Sequence, residues 1–456
     1  MAAAEQPIRR AASAAIRWHR FAAYVALCFL PLLGLSAPSR ADEPTAVSTL
    51  RDNLWAYIDS RDSQDAAAVL ETILADPQAA VETVSAIFRT GRPYTSQPTG
   101  RQPHVPIAVR GEQYHYSLAV PDTYDPKKSY ALVLCLHGAG FTGEAYLDRW
   151  RDRLGDRYIL TCPTYSMGAW WTRTAEELAL ATIGDVTRRY SVDPDRVFLT
   201  GMSNGGIGAW IIGMHHADRF AGLAPMASGI DDVMFPLLAN LSQTPTYVIH
   251  GAKDQVMPVR LSRAVTEALQ RLDAPVVYRE HEREHPMAGG HYFPKEELPD
   301  LVAWFDAQRR HAATDHVTLV RDATHLFPMD WVRIDTTDRI AAFADNLVEG
   351  SDEYIRGKVY AKLMAKRTAP NRIDVAATRV QRFTLFFTQD MIDRLTTHDR
   401  TTPLVVSVNG TVVHEGPITS SLDTMLKQAR QRSDTSRLYP SYLSLTVPTT
   451  PVSPTP

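Results

Sequence analysis

The stretch Gly201-Met202-Ser203-Asn204-Gly205 decides the fold expected for this chain. It follows an apolar run at residues 196–200 and precedes an apolar helical pattern at residues 207–214. A serine framed by glycines between a strand and a helix is the sequence of a nucleophile elbow. The glycines are needed because a side chain at either position would collide with the neighbouring strand or helix. The turn therefore exposes the Ser203 hydroxyl and aims the N–H groups of the helix N-terminus at any oxyanion formed there.

Two further motifs supply the partners that a serine nucleophile requires. The predicted strand 246–249 runs into His250-Gly251-Ala252-Lys253-Asp254, and the predicted strand 276–280 leads to a loop that contains Gly289-Gly290-His291. A serine hydroxyl needs a base to take its proton, and the base needs an acid to orient it. The order Ser, Asp, His, with the last two at the carboxyl ends of later strands, is that of a doubly wound hydrolase sheet. We predict Ser203 as nucleophile, Asp254 as orienting acid and His291 as base.

A glycine-rich turn after the predicted strand 131–136 completes the predicted chemistry. This turn reads His137-Gly138-Ala139-Gly140, and its backbone N–H groups can face an oxyanion. We predict an oxyanion hole made by the N–H of Asn204 together with that of Ala139 or Gly140. His137 belongs to the wrong strand to be the base, so we expect it to be a structural residue of the turn.

Aromatic side chains near these strand ends are predicted to bind substrate. Trp170 and Trp171 follow the strand 158–162, and Phe141 follows the oxyanion turn. Such side chains can form a wall for an acyl chain, an aryl group or a sugar. Packing against the following helix is an equal alternative for the tryptophans, and core packing is one for Phe141. His215-His216, at the far end of the helix after Ser203, are expected at the surface or as helix-capping residues.

Together these motifs resemble those of the α/β-hydrolase superfamily. The segments 120–125 and 192–206, with His137-Gly138-Ala139-Gly140, residues 251–254 and Gly289-Gly290-His291, are most similar to secreted polyhydroxybutyrate-depolymerase-like and feruloyl-esterase-like carboxylesterases. They are also similar to the catalytic domain of prolyl-oligopeptidase-type peptidases. The resemblance covers residues 105–310. It implies an enzyme that cleaves small-molecule or polymeric carboxylic esters with the triad named above and without a cofactor. The remaining residues have no room for the propeller of full prolyl oligopeptidases, which weakens the peptidase interpretation.

The pattern along the chain predicts an α/β fold with several parts. Strands and helices alternate over residues 101–312, which favours a doubly wound, mostly parallel sheet. A helical period occupies residues 42–100, where we expect a small segment packed on the main domain. Short β-rich runs over residues 313–446 predict a β-sandwich-like accessory domain, with an Asn409-Gly410 hairpin turn. Residues 447–456 are rich in proline and threonine and are predicted to be disordered.

The first 41 residues are typical of an export signal. Four arginines precede an uncharged apolar run at residues 21–35, and Ser39 and Ala41 suit a cleavage site before Asp42. The run is shorter than the roughly 20 residues that a membrane span needs, so a retained anchor is the weaker alternative and we expect no stable span after cleavage. This predicts a periplasmic or secreted protein. Cys135 and Cys162 are expected as buried free thiols, with a disulfide as the alternative.

Composition and a second motif define the alternatives. The 456 residues carry 48 Lys and Arg against 51 Asp and Glu, and no basic run indicates nucleic-acid binding. His281-Glu282-Arg283-Glu284-His285 has the letters of a zinc-peptidase motif, but it continues a β-rich run and meets Pro286, so no metal is predicted. His281 and His285 stay open as rival bases. A binding protein that recognises a polymer or polysaccharide through its β domain is a further alternative, and the oligomeric state is left open.

Overall fold

A computed structural model of the protein describes residues 46–311, 314–323, 328–341, 351–396 and 403–448. The predicted export signal and most of the predicted disordered tail lie outside these residues. Within the described ranges, none of the helices combines the length and apolar character needed to cross a membrane. The described residues belong to one compact unit.

Three helices open the described chain: α1 (Ala46–Asp59), α2 (Ser63–Ala75) and α3 (Val81–Arg89). Asp62 caps α2 because its carboxylate accepts hydrogen bonds from the Gln64 and Asp65 N–H groups. The apolar faces of the three helices form a separate hydrophobic cluster, which includes Met425 and Leu426 from helix α11 (Leu422–Arg432). The predicted helical segment is therefore present, and a helix close to the C-terminus supplies part of its core.

An eight-stranded sheet forms the centre of the protein. Its strands are β1 (Gly100–Val109), β2 (Glu112–Val120), β3 (Tyr130–Leu136), β4 (Ile159–Pro163), β5 (Val192–Met202), β6 (Gly222–Met226), β7 (Thr246–Gly251) and β8 (Val276–His281). They lie in the order β1-β2-β4-β3-β5-β6-β7-β8. β1 and β2 are antiparallel to their neighbours, and all other pairs are parallel. β3, β4 and β6 are almost wholly buried, as expected for strands covered on both faces.

Helices on the two faces of this sheet connect its strands. They are α4 (Gly143–Leu154), α5 (Arg173–Arg189), α6 (Asn204–His215), α7 (Val259–Arg271) and α8 (Leu298–Ala307). α6 follows β5 directly and is buried along almost its whole length, so its apolar pattern has no polar face. This position fixes the N-terminus of α6 at the carboxyl edge of the sheet.

Two smaller sheets follow the main one. Their strands are β9 (His316–Arg321), β10 (Val332–Thr337), β11 (Ala361–Ala369), β12 (Arg372–Thr378), β13 (Val380–Phe387), β14 (Leu404–Val408), β15 (Thr411–Gly416) and β16 (Ser441–Thr446). One sheet has the order β10-β13-β16 and the other β15-β14-β12-β11-β9. Short helices α9 (Ser351–Arg356) and α10 (Gln389–Thr396) lie between strands. Asn409 and Gly410 both have positive φ, 49° and 84°, which confirms the predicted hairpin turn.

The predicted fold class is confirmed, namely a large, mostly parallel sheet with further β-sheets. The sequence pattern missed β1, because Pro103 and Pro106 argue against a strand. Both prolines are tolerated since β1 is the edge strand of the sheet. Cys135 and Cys162 are buried and free, as expected. The predicted domain boundaries at residues 100, 312 and 446 stay predictions.

Candidate active site

Ser203 lies in a strained turn between β5 and α6. Its φ and ψ are 58° and −124°, a region that side chains rarely adopt. The Ser203 N–H donates to the carbonyl of Met226, and the Ser203 carbonyl accepts from the Ile207 N–H, each at 3.0 Å. The turn is therefore anchored to β6 on one side and to the first turn of α6 on the other, which holds the strain in place.

The two glycines of the motif are required by close backbone contacts. A Cβ at Gly205 would lie 2.0 Å from the Leu136 carbonyl oxygen, and one at Gly201 would lie 2.2 Å from the Gly205 carbonyl oxygen. Neither contact is possible for a carbon atom, so only glycine lets α6 begin against the end of β3. The steric requirement for glycine that the sequence predicts is therefore confirmed at both positions.

The carboxylate of Asp254 holds His291 on the loops that follow β7 and β8. His291 Nδ1 lies 2.7 Å from Asp254 Oδ2, and the other carboxylate oxygen accepts the N–H groups of Val256 and Met257. The two loops contact each other backbone to backbone, because a Cβ at Gly290 would lie 2.5 Å from the Asp254 nitrogen. The structure therefore brings Asp254 and His291 together at the carboxyl edge that also carries Ser203.

The protonation state of this pair follows from its surroundings. Burial acts to raise the pKa of Asp254, but hydrogen bonds from His250, His291 and the Met257 N–H outweigh it and hold that pKa well below its usual value. The carboxylate is thus ionised at neutral pH and accepts a hydrogen bond from the Nδ1–H group of His291. This leaves Nε2 of His291 as the nitrogen that can take a proton. Among the described residues no hydrogen bond joins it to the Ser203 hydroxyl, a contact that is often long before substrate binds.

The predicted oxyanion residues lie beside the elbow. A Cβ at Gly138 would be 3.5 Å from the Ser203 Cβ, so the turn after β3 contacts the serine directly. Gly140 has a φ of 75°, and Ala139 and Gly140 are both exposed. The hydrogen bonds among the described residues use none of the N–H groups of Ala139, Gly140 and Asn204, so all three can meet an acceptor. The role of these N–H groups stays a prediction.

His137 has the structural position expected from the sequence. Its side chain is buried, its Nε2 accepts the Tyr165 N–H at 3.1 Å, and its Nδ1 lies 2.9 Å from the Gly138 carbonyl. Burial lowers the pKa of His137. Both ring nitrogens are used by the backbone, so the imidazole orders the turn and has no nitrogen left for proton transfer.

The three aromatic residues differ in exposure. Trp171 is 43% exposed and Phe141 37%, whereas Trp170 has no exposed surface. The Trp170 indole donates to the His137 carbonyl at 2.8 Å and contacts α6 at Gly208. Trp170 is therefore not available to contact substrate in this structure. Its hydrogen bond to the His137 carbonyl stabilises the turn at residues 137–140 instead. Packing, the alternative to substrate binding, is therefore observed for Trp170, but against α6 and not shown against the following helix α5.

Sequence reasoning missed Met167, which lies in the short turn between β4 and α5. Its carbonyl accepts the side-chain amide of Asn204 at 3.1 Å, and its side chain is 65% exposed. Met167 also has a positive φ of 52°, which a sequence pattern does not reveal for methionine. The side chain of Asn204 therefore ties this turn to the elbow.

The rival bases lie apart from the Asp254 carboxylate. His281 is the last residue of β8, and its Nε2 lies 3.2 Å from the Tyr292 carbonyl. His285 accepts the Met287 N–H, and its own N–H donates to the Gly289 carbonyl. The stretch 282–285 is not helical, so the two histidines do not share a helix face as a zinc-peptidase motif requires.

The expectation that His215 and His216 lie at the surface is wrong, whereas His216 does occupy the C-cap position of α6. Both are buried, and both contact the Glu176 carboxylate of α5, at 2.8 Å and 2.5 Å. His215 Nε2 also lies 3.1 Å from Asp322, just after β9. The C-terminal end of α6 therefore packs against α5 and the segment after β9. A helical period alone does not show these contacts.

The strand order and the elbow at the end of the fifth strand decide the fold. The chain has the α/β-hydrolase fold. A curated relative of this chain is a probable feruloyl esterase C from Aspergillus terreus (strain NIH 2624 / FGSC A1156), 27% identical over 176 residues. The match covers 35% of this chain and 62% of the relative, so the chain spans less than two thirds of that protein. The expected similarity to feruloyl-esterase-like proteins is thereby confirmed. None of the protein-family models matches the chain.

Solved structures similar to this chain include esterases and a peptidase. A thermostable esterase is 24% identical with a TM-score of 0.39, covering 45% of this chain and 63% of its own. A ferulic acid esterase is 16% identical with a TM-score of 0.36, covering 46% and 98%. An acylaminoacyl peptidase from Pyrococcus horikoshii is 13% identical with a TM-score of 0.38, covering 50% and 44%.

Proposed function

We propose that this chain is a serine hydrolase that cleaves carboxylic ester bonds through an acyl-enzyme on Ser203. The observation that carries the proposal is the 2.7 Å contact between His291 Nδ1 and Asp254 Oδ2, at the same sheet edge as the strained Ser203 turn. A hydroxyl after β5, an orienting acid after β7 and a base after β8 are the components of acyl transfer.

In this proposal each residue has one chemical role. His291 Nε2 takes the proton of the Ser203 hydroxyl as the oxygen attacks the ester carbonyl, and then gives it to the leaving alcohol. Asp254 holds the Nδ1–H tautomer of His291 and stabilises the imidazolium that forms. Water repeats the two steps on the acyl-enzyme and releases the acid. These steps need no cofactor.

The oxyanion of the tetrahedral intermediate would meet the N–H of Asn204 and that of Ala139 or Gly140. The first N–H belongs to the N-terminus of α6, whose dipole favours negative charge. Loss of one such donor typically lowers kcat by about 10²–10³. The strained turn and the packed glycines keep these donors in position before substrate arrives.

We propose that the acyl group binds along exposed apolar side chains beside the elbow. Phe141, Met167 and Trp171 come from the turns after β3 and β4, and each is more than a third exposed. Aromatic and thioether surfaces of this kind favour an apolar or aromatic acyl group. The curated relative is described as a feruloyl esterase, which supports an ester substrate over a peptide. Export through residues 1–41 is proposed from the sequence pattern alone.

The test is a Ser203→Ala variant assayed with short p-nitrophenyl esters and labelled with a fluorophosphonate. Hydrolysis and labelling should both disappear, while the exposed Ser129→Ala control should keep both. Full activity in Ser203→Ala would refute the proposal. Comparing an ester with the matching anilide at equal concentration then separates an esterase from a peptidase with the same triad.

A further inference from the structure

A second histidine contacts the carboxylate that holds His291. His250 lies near the end of β7, and its side chain has no exposed surface. Its Nε2 lies 3.1 Å from Asp254 Oδ2, the same oxygen that contacts His291. The sequence shows His250 only as a strand residue four positions before Asp254, and the triad does not require it.

The hydrogen-bond partners of His250 determine how many protons it carries. Nε2 faces two acceptors, the Met257 carbonyl at 2.8 Å and the Asp254 carboxylate, so this nitrogen bears a proton. Nδ1 lies 2.7 Å from the Ser262 hydroxyl of α7. That hydroxyl donates its single proton to the Ser228 carbonyl at 2.5 Å, because a carbonyl has no proton to give. The Ser262 oxygen then faces Nδ1 as an acceptor, so each ring nitrogen of His250 points at an acceptor.

An imidazole with both nitrogens protonated is a cation, and its surroundings are suited to one. The carboxylate of Asp254 lies on one side. On β8 the residue paired with His250 is Glu280, whose carboxylate contacts Arg263 of α7 and whose pKa is lowered to about 2, first by the Arg263 hydrogen bond. Ser228 and Ser262 contribute only neutral oxygens. The other ionisable group on the Asp254 carboxylate is His291 itself.

We propose that His250 is a positioning residue of the triad, an imidazolium that holds the Asp254 carboxylate. The negative charge of Asp254 then interacts with both His250 and His291. The inference rests on the proposed function. A cation on the same carboxylate oxygen places the two ring nitrogens within about 6 Å of each other. Its field makes protonation of His291 harder, so His291 stays neutral and able to act as a base at lower pH. The hydrogen bonds to Met257 and Ser262 also fix where Asp254 can lie.

The test is the pH profile of kcat/KM for ester hydrolysis by His250→Gln. Glutamine is neutral and can still donate to Asp254. The midpoint of the acid limb should therefore move to higher pH by about one unit, since one nearby positive charge is removed. Without the His250 hydrogen bonds to Met257 and Ser262, the Asp254 carboxylate should be held less firmly. The plateau kcat should therefore fall by about tenfold, with little change in KM. His281→Gln is the matched control, because His281 is buried on the next strand and contacts Tyr292 instead of Asp254. Its acid limb should not move.

A spectroscopic measurement tests the charge without relying on activity. At pH 8, nitrogen NMR of ring-labelled histidine should show an imidazole protonated at both nitrogens that is lost in His250→Gln. His215, whose pKa is raised to about 10, should give a second such signal that persists. If His250→Gln does not fold, Ser262→Ala carries the test, because it removes the acceptor of the Nδ1 proton and should move the acid limb in the same direction.

The outcomes separate this inference from the proposed function. An inactive wild type that a fluorophosphonate does not label at Ser203 refutes the proposed function. An active, labelled wild type whose folded His250 or Ser262 variant keeps the original acid limb refutes the positioning role alone. If His250→Gln keeps two doubly protonated signals and not the His215 signal alone, the positioning role is also refuted.

Discussion

Gly205→Ala tests whether the packing of α6 on β3 sets the geometry of the elbow. The added Cβ would lie 2.0 Å from the Leu136 carbonyl oxygen and 3.0 Å from the His137 carbonyl oxygen. A carbon and an oxygen need more than 3 Å, so the start of α6 must move by about 1 Å away from β3. Overpacking of this kind costs about 1–3 kcal/mol of stability. Because the Asn204 N–H and Ser203 move with the helix, a 1 Å displacement should lower kcat/KM by about 10².

The assay pairs kcat/KM for a p-nitrophenyl ester with a thermal melt. Gly184→Ala is the control: Gly184 lies inside α5, and its added Cβ would meet only the end of Arg188 at 3.6 Å. This control should keep its activity and gain about 0.5–1 kcal/mol from better helix propensity. A Gly205→Ala protein with wild-type kcat/KM and melting temperature would refute the packing argument.

Two other predictions concern charge. Asp254→Asn should lower kcat by about 10⁴ with little loss of folding, because asparagine favours the wrong tautomer of His291; a loss below tenfold would indicate another orienting acid. The pKa of His215 is raised to about 10, since the carboxylates of Glu176 and Asp322 outweigh the opposing effect of burial. A folded-state pKa above the unfolded value of 6.5 means that this stabilisation is complete below about pH 6.5 and is lost as pH rises towards 10. The melting temperature should fall over that window, and His215→Gln should flatten the fall; an unchanged slope in the variant would contradict the assignment.

Sequence patterns located the candidate site because its residues are fixed by local rules. Ser203 needs a glycine-framed turn, and Asp254 and His291 follow strands whose apolar runs are visible in the sequence. The carboxyl ends of parallel strands meet at one edge of a sheet, so strand order along the chain was enough to predict that these positions converge.

Other features depend on residues that are distant along the chain. Ser85 of α3 contacts Met425 of α11, 340 positions away, and no local pattern predicts this pairing. Trp170 and Trp171 are neighbours in the sequence, yet one is fully buried under the oxyanion turn and the other is exposed. A helical period could not show that Asp322, just after β9, contacts His215.

The elbow, the order of the catalytic candidates and the α/β class could be predicted from local sequence, because turn sterics and hydrophobic periodicity act between near neighbours. The contact of His250 with the Asp254 carboxylate is visible only in the folded protein, since it depends on how β7, α7 and the loop after β8 pack together. Hydrogen bonds between side chains are fixed by such packing, and the spacing of residues along a chain does not specify it.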